Sequence, residues 1–155
     1  MRRPVLSPEK LLVPLRLVVG FGFAAHGFAK LSRGPDQFAV VLSALGVPLP
    51  HLMAWATTLL ELAGGALVMA GAFVAELSVP LAVVMLTALF SVHLRYGFSS
   101  IRLKSVSPSG AEFGPVGYEI NLLYLAGLFT LACGGRSALS FDAWREERRS
   151  RGTVR

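Results

Sequence analysis

Apolar residues run almost unbroken through four stretches of this chain, at about residues 11–31, 51–73, 77–96 and 118–134. A helix that crosses a bilayer needs about 20 apolar residues at a rise of about 1.5 Å each, and the fourth stretch stands at the lower limit. The pattern predicts an all-α fold: a four-helix transmembrane bundle. Between the first two stretches, Phe38, Val41, Leu42 and Leu45 recur at helical spacing after a candidate cap at Asp36. Residues 36–46 are too few to span, so they predict a short interfacial or re-entrant helix closed by Gly46 and Pro48. A very short turn around Ala75 and Glu76 should join helices 2 and 3 as an antiparallel hairpin. Residues 97–117 are rich in Ser, Gly and Pro and read as a long loop, functional or mobile. The expected division is an N-terminal arm over residues 1–10, a membrane domain over 11–135, and a charged, frayed tail over 136–155.

Composition sharpens this picture. Of 155 residues, 54% are hydrophobic and only 15% charged, whereas soluble proteins carry about 25% charged residues. The net charge of +6 sits at the termini and in loops, a placement that suits anionic headgroups and excludes a nucleic-acid stripe. Cys133 is the single cysteine, which excludes an internal disulfide and CxxC thiol exchange. The first apolar stretch is longer than a signal-peptide core and is followed by Lys30 and the Gly34–Pro35 turn, so it is expected to remain as a helix. Four crossings put both termini on one side. That side collects nine cations (Arg2, Arg3, Lys10, Arg136, Arg145, Arg148, Arg149, Arg151 and Arg155), and the other collects five (Lys30, Arg33, Arg95, Arg102 and Lys104). The bias predicts cytoplasmic termini.

Chemistry can reside only where polar residues interrupt the apolar helices, because an ionisable group in hydrocarbon needs a partner or water. The candidates are Arg16 and His26 on helix 1 with Lys30 one turn on, Glu61 on helix 2, His93 on helix 3, and Glu119 with Asn121 on helix 4. Counted from the terminal side, His26, Glu61, His93, Glu119 and Asn121 fall at depths of roughly 18–24 Å. They predict one polar layer, with Lys30 at its rim. Arg16 lies nearer the terminal side, where it either snorkels to headgroups or reaches inward toward Glu61. Glu61 is either a packing ion pair, a proton-bearing or ligand-binding carboxylate, or a protonated group facing lipid. The histidines lack paired spacing within a helix, and there is neither an ExxH motif nor a CxxCH. They read as members of a hydrogen-bonded layer; no metal site is expected. No Ser-His-Asp spacing, P-loop or dinucleotide fingerprint is present.

The order of these features carries a resemblance: RLVVGFGFAAHGFAKL, then ALGVPLP, LLELAGGALVMAG, a third helix ending at His93, GYEINLLYLAG and SFDAW. Over roughly residues 11–142 the chain resembles the DoxX family of small four-helix bacterial membrane proteins. The family motif maps onto Arg16, His26, Gly27, Lys30, Gly46, Val47, Pro48, Pro50, Glu61, Gly64 and Gly65. The resemblance implies a multi-pass protein of the bacterial inner membrane. It also implies an accessory role in a redox or quinone-linked complex, with quinone as the ligand class. Membrane lipid, redox-complex subunits and a second copy of the chain are the expected partners. The competing expectations are a small-molecule carrier and a purely structural membrane partner.

Overall fold

A computed structural model describes residues 7–135 and 137–152. Residues 1–6, 136 and 153–155, which carry Arg2, Arg3, Arg136 and Arg155 of the topology count, lie outside the described residues. Among the described residues, six continuous helices and one hairpin follow in chain order. They are α1 (Pro8–Arg33), α2 (Pro35–Ala44), α3 (Pro50–Ala70), α4 (Val74–Tyr96), β1 (Leu103–Ser107), β2 (Gly110–Phe113), α5 (Glu119–Cys133) and α6 (Phe141–Gly152). Prolines stand in the first turn of α1, α2 and α3, where the missing N–H costs no helical bond.

Among the described residues, three helices are long and apolar enough to cross a membrane, within Glu9–Arg33, Pro50–Ala70 and Val74–Tyr96. The fourth, α5, has 15 residues. Its rise of about 22 Å is less than a hydrocarbon core of about 30 Å. All four apolar helices nevertheless share one core. Val19 and Phe23 of α1, Val68 of α3, Leu81 of α4, and Leu128 and Leu131 of α5 are buried together. Phe23 meets Tyr124 edge-on at 5.3 Å between ring centroids, a favoured aromatic geometry. The outward faces are apolar too: Val18, Phe21 and Phe28 of α1, Val79, Val83 and Phe90 of α4, and Phe129 of α5 are exposed. An apolar exterior of this extent suits lipid rather than water. The chain is a multi-pass membrane protein.

The turn between α3 and α4 lies at Gly71 and Phe73 (φ 71° and 53°), so Ala75 and Glu76 fall inside the first turn of α4. The expected interfacial helix is α2. Its N-cap is Gly34, and Asp36 in the first turn instead accepts from His51 Nδ1 at 3.2 Å.

Two expectations fail outside the core. Residues 97–117 contain the β1–β2 hairpin rather than an irregular loop. The tail does not fray over residues 137–152: Ser140 caps α6, its hydroxyl accepting from Ala143 N at 3.1 Å. Both segments are held by hydrogen bonds that hydropathy does not register, local ones in the hairpin and both local and distant ones in the tail.

Candidate functional site

Helices α1 and α3 touch backbone to backbone, and that contact builds the site. A Cβ on Gly27 would overlap the backbone of Leu62, and one on Gly65 would overlap Ala24 N and Gly20 O. Small residues at these positions let the helix axes close up. Midway along α3 the ladder widens to a π-turn over Leu60–Gly64, a feature that recurs at functional sites. Glu61 sits in this π-turn and is buried. Lys30, in the last turn of α1, reaches across the close crossing, and its Nζ forms an ion pair with Glu61 Oε2. The same ammonium lies 4.6 Å from the centroid of the Phe38 ring on α2, within cation–π range. Three helices thus converge on one cation and one carboxylate.

The remaining candidates stand elsewhere. His26 is exposed on α1 and makes no hydrogen bond or ion pair among the described residues. His93 closes a π-turn at the end of α4, and its Nδ1 is 2.9 Å from Val116 O. A carbonyl only accepts, so Nδ1 carries the proton. Glu119 Oε2 accepts from Ser100 N at 3.0 Å, while the Ser100 hydroxyl accepts from Ile120 N at 3.2 Å. This reciprocal pair fixes the start of α5. Asn121 is buried, and its Nδ2 lies 3.1 Å from Met85 Sδ; its Oδ1 has no partner among the described residues. Of the seven candidates, only Lys30 and Glu61 bond to each other. Among the described residues, no three His, Cys, Asp or Glu side chains converge as metal ligands would.

Arg16 neither snorkels nor reaches Glu61. It is buried, and its guanidinium donates to Leu139 O at 3.0 Å and Ala138 O at 3.4 Å. The carbonyls of the folded-back tail lie nearer than Glu61. Asp142 completes the clasp, its carboxylate accepting from Phe73 N at 3.1 Å and Val74 N at 3.3 Å. It therefore caps α4 from a distant part of the chain. Asp142 N donates to Gly71 O at 3.0 Å, and Ala138 N donates to Glu9 O at 2.9 Å. Two left-handed residues, Phe73 and Leu139, are held by these bonds, which offset backbone strain of about 1–3 kcal/mol each. A groove of about 300 Å³ opens beside the clasp, between Leu12, Val74, Leu131, Glu76, Ser140 and Asp142. From sequence Phe38 reads only as a residue of the short helix, and Arg16 stands out without its clasp partners. The clasp has a visible signal, a serine two residues before an aspartate in SFDAW.

The DoxX family model matches residues 11–94, more than half of the 155 residues. The chain belongs to the DoxX family. Lys30, Phe38, Glu61 and the α1–α3 glycines all fall inside the region matched by DoxX. Glu119, Asn121 and the clasp aspartate lie beyond it. No curated protein and no solved structure is significantly similar to the chain.

Proposed function

We propose that this DoxX protein is an accessory subunit of a redox or quinone-linked complex in a bacterial inner membrane. In this reading it crosses the bilayer four times with cytoplasmic termini, and the Lys30–Glu61 pair is its polar site. One observation carries the proposal: an ion pair with a buried carboxylate is kept at the apolar junction of three helices. Charges there are costly and are commonly functional. A quinone headgroup presents carbonyl acceptors when oxidised and hydroxyl donors when reduced. The Lys30 ammonium can donate to the first and the Glu61 carboxylate can accept from the second. The Phe38 ring offers a flat apolar wall beside them. Four crossings are supported by α5 packing into the same core as α1 and α4, with Phe129 exposed on its outer side.

Extraction in a mild detergent followed by mass spectrometry tests the assignment. Wild-type protein should carry redox subunits or quinone that a Lys30→Met/Glu61→Gln double variant loses. Solute transport by the purified protein alone in liposomes, with neither subunits nor quinone retained, would identify a carrier instead.

A further inference from the structure

The segment between α4 and α5 is an amphipathic hairpin with its apolar side uncovered. Leu103 pairs with Phe113, Ser105 with Glu112, Val106 with Ala111 and Ser107 with Gly110. Successive pairs of an antiparallel ladder face opposite sides. Leu103, Phe113, Val106 and Ala111 therefore share one side, and Ser105, Glu112 and Ser107 share the other. The register irregularity at Lys104 produces this sorting. Without the extra residue, Leu103 and Val106, three apart, would face opposite ways. The polar side is closed by the Ser105 hydroxyl donating to Glu112 Oε2 at 3.1 Å. On the apolar side Leu103, Val106 and Phe113 are 58%, 71% and 57% exposed. A two-stranded hairpin alone in water is marginal, so this one gains most from a surface that takes up those side chains.

The surface nearest to hand is the membrane that the adjoining helices enter. The hairpin leaves α4 at Tyr96 and enters α5 at Glu119, and its base is zipped closed between them. Tyr118 N donates to Gly97 O at 3.0 Å, Glu119 N to Phe98 O at 2.9 Å, and Gly117 N to Ser99 O at 3.1 Å. The Arg102 guanidinium donates back to Tyr96 O at 2.8 Å, so the strands stay close to the helix ends. Phe98 and Tyr118 pack edge-on at 5.6 Å, in the kind of aromatic cluster that favours the headgroup level. Arg95 stands in the last turn of α4 and Arg102 and Lys104 lie on the first arm of the hairpin, against Glu112 on its strands and Glu119 at the start of α5: three cations to two acids. That balance complements anionic phosphates.

We propose that the β1–β2 hairpin is an interfacial membrane anchor. It lies on the bilayer with Leu103, Val106 and Phe113 at the boundary of headgroups and acyl chains, and with Arg95, Arg102 and Lys104 among the phosphates. The anchor is independent of the redox assignment, because it concerns lipid rather than the Lys30–Glu61 pair.

Tryptophan quenching in vesicles containing phosphatidylglycerol tests it. With Trp55 and Trp144 replaced by Phe, single tryptophans are introduced as Val106→Trp on the apolar side and Ser105→Trp on the polar side. Phe113→Trp reads the apolar side a second time should Val106→Trp not fold. Bromines near the headgroup end of the acyl chains should quench the apolar-side tryptophan at least about three-fold more than Ser105→Trp, as an insertion of about 5–10 Å requires. Aqueous acrylamide should show the reverse order. Equal acrylamide quenching on both sides would overturn the anchor. An apolar-side tryptophan shielded from both quenchers would also overturn it, and would place a protein surface there instead of lipid.

Discussion

Replacing Lys30 by methionine should destabilise the protein more than replacing Glu61 by glutamine. The side chain of Glu61 is 6% exposed and that of Lys30 is 22% exposed. Glu61 also has no other hydrogen bond among the described residues. Lys30→Met would strand a carboxylate in an apolar junction, at a cost of about 3–5 kcal/mol. Glu61→Gln strands an ammonium on a four-carbon stem in the last turn of its helix. That stem can swing toward headgroups, so the loss should be nearer about 1–2 kcal/mol, that of a charged hydrogen bond. The double variant removes both charges and should resemble Glu61→Gln alone. The cycle then gives a coupling of about 3–5 kcal/mol, the whole cost of Lys30→Met. Equilibrium unfolding in mixed micelles of a mild detergent and sodium dodecyl sulfate measures all four proteins. Additive effects within about 0.5 kcal/mol, or a larger loss for Glu61→Gln than for Lys30→Met, would refute the buried-pair reasoning.

Gly27→Val places its side chain into the Leu62 backbone. It should cost about 1–3 kcal/mol by forcing the helices apart, read as a lower thermal midpoint in detergent, whereas Gly64→Ala should keep its packing because the added carbon meets nothing closer than Leu60 Cδ1 at 3.5 Å. Asp142→Ala removes the distant cap of α4 and should cost about 1 kcal/mol; trypsin cleavage at Arg145 and Arg148 should speed up while the membrane core stays intact. Arg16→Met leaves the Leu139 carbonyl without its donor and should release the same tail in the same digest. A reporter active only in the cytoplasm, fused after Arg155, should be active.

The spans were legible because lipid contact demands apolar residues on every outward position, and this leaves a continuous signal along α1, α3 and α4. Glu61 stood out for a related reason, since a carboxylate in such a run must be matched. Its partner was only half legible. Depth along an axis follows from residue number, but direction around it does not. His26 and Lys30 are one turn apart, yet only the long lysine stem reaches the π-turn while His26 faces out. The Arg16 partners lie more than 120 positions away, beyond any local pattern. In the hairpin, the extra residue at Lys104 breaks the two-residue alternation by which strands are recognised. Hydropathy made the tail read as a fraying charge run, while its structure depends on Ser140 and Asp142, two short side chains with little weight in composition.

The most direct test of the Lys30–Glu61 site is photolabelling with an azidoquinone in native membranes, followed by peptide mapping. Label should concentrate on the segments bearing Lys30, Phe38 and Glu61, be displaced by unlabelled quinone, and disappear in Lys30→Met/Glu61→Gln. Label spread over the lipid-facing residues Val18, Phe21 and Phe90, undiminished by competitor or by the double substitution, would contradict a quinone site at this pair.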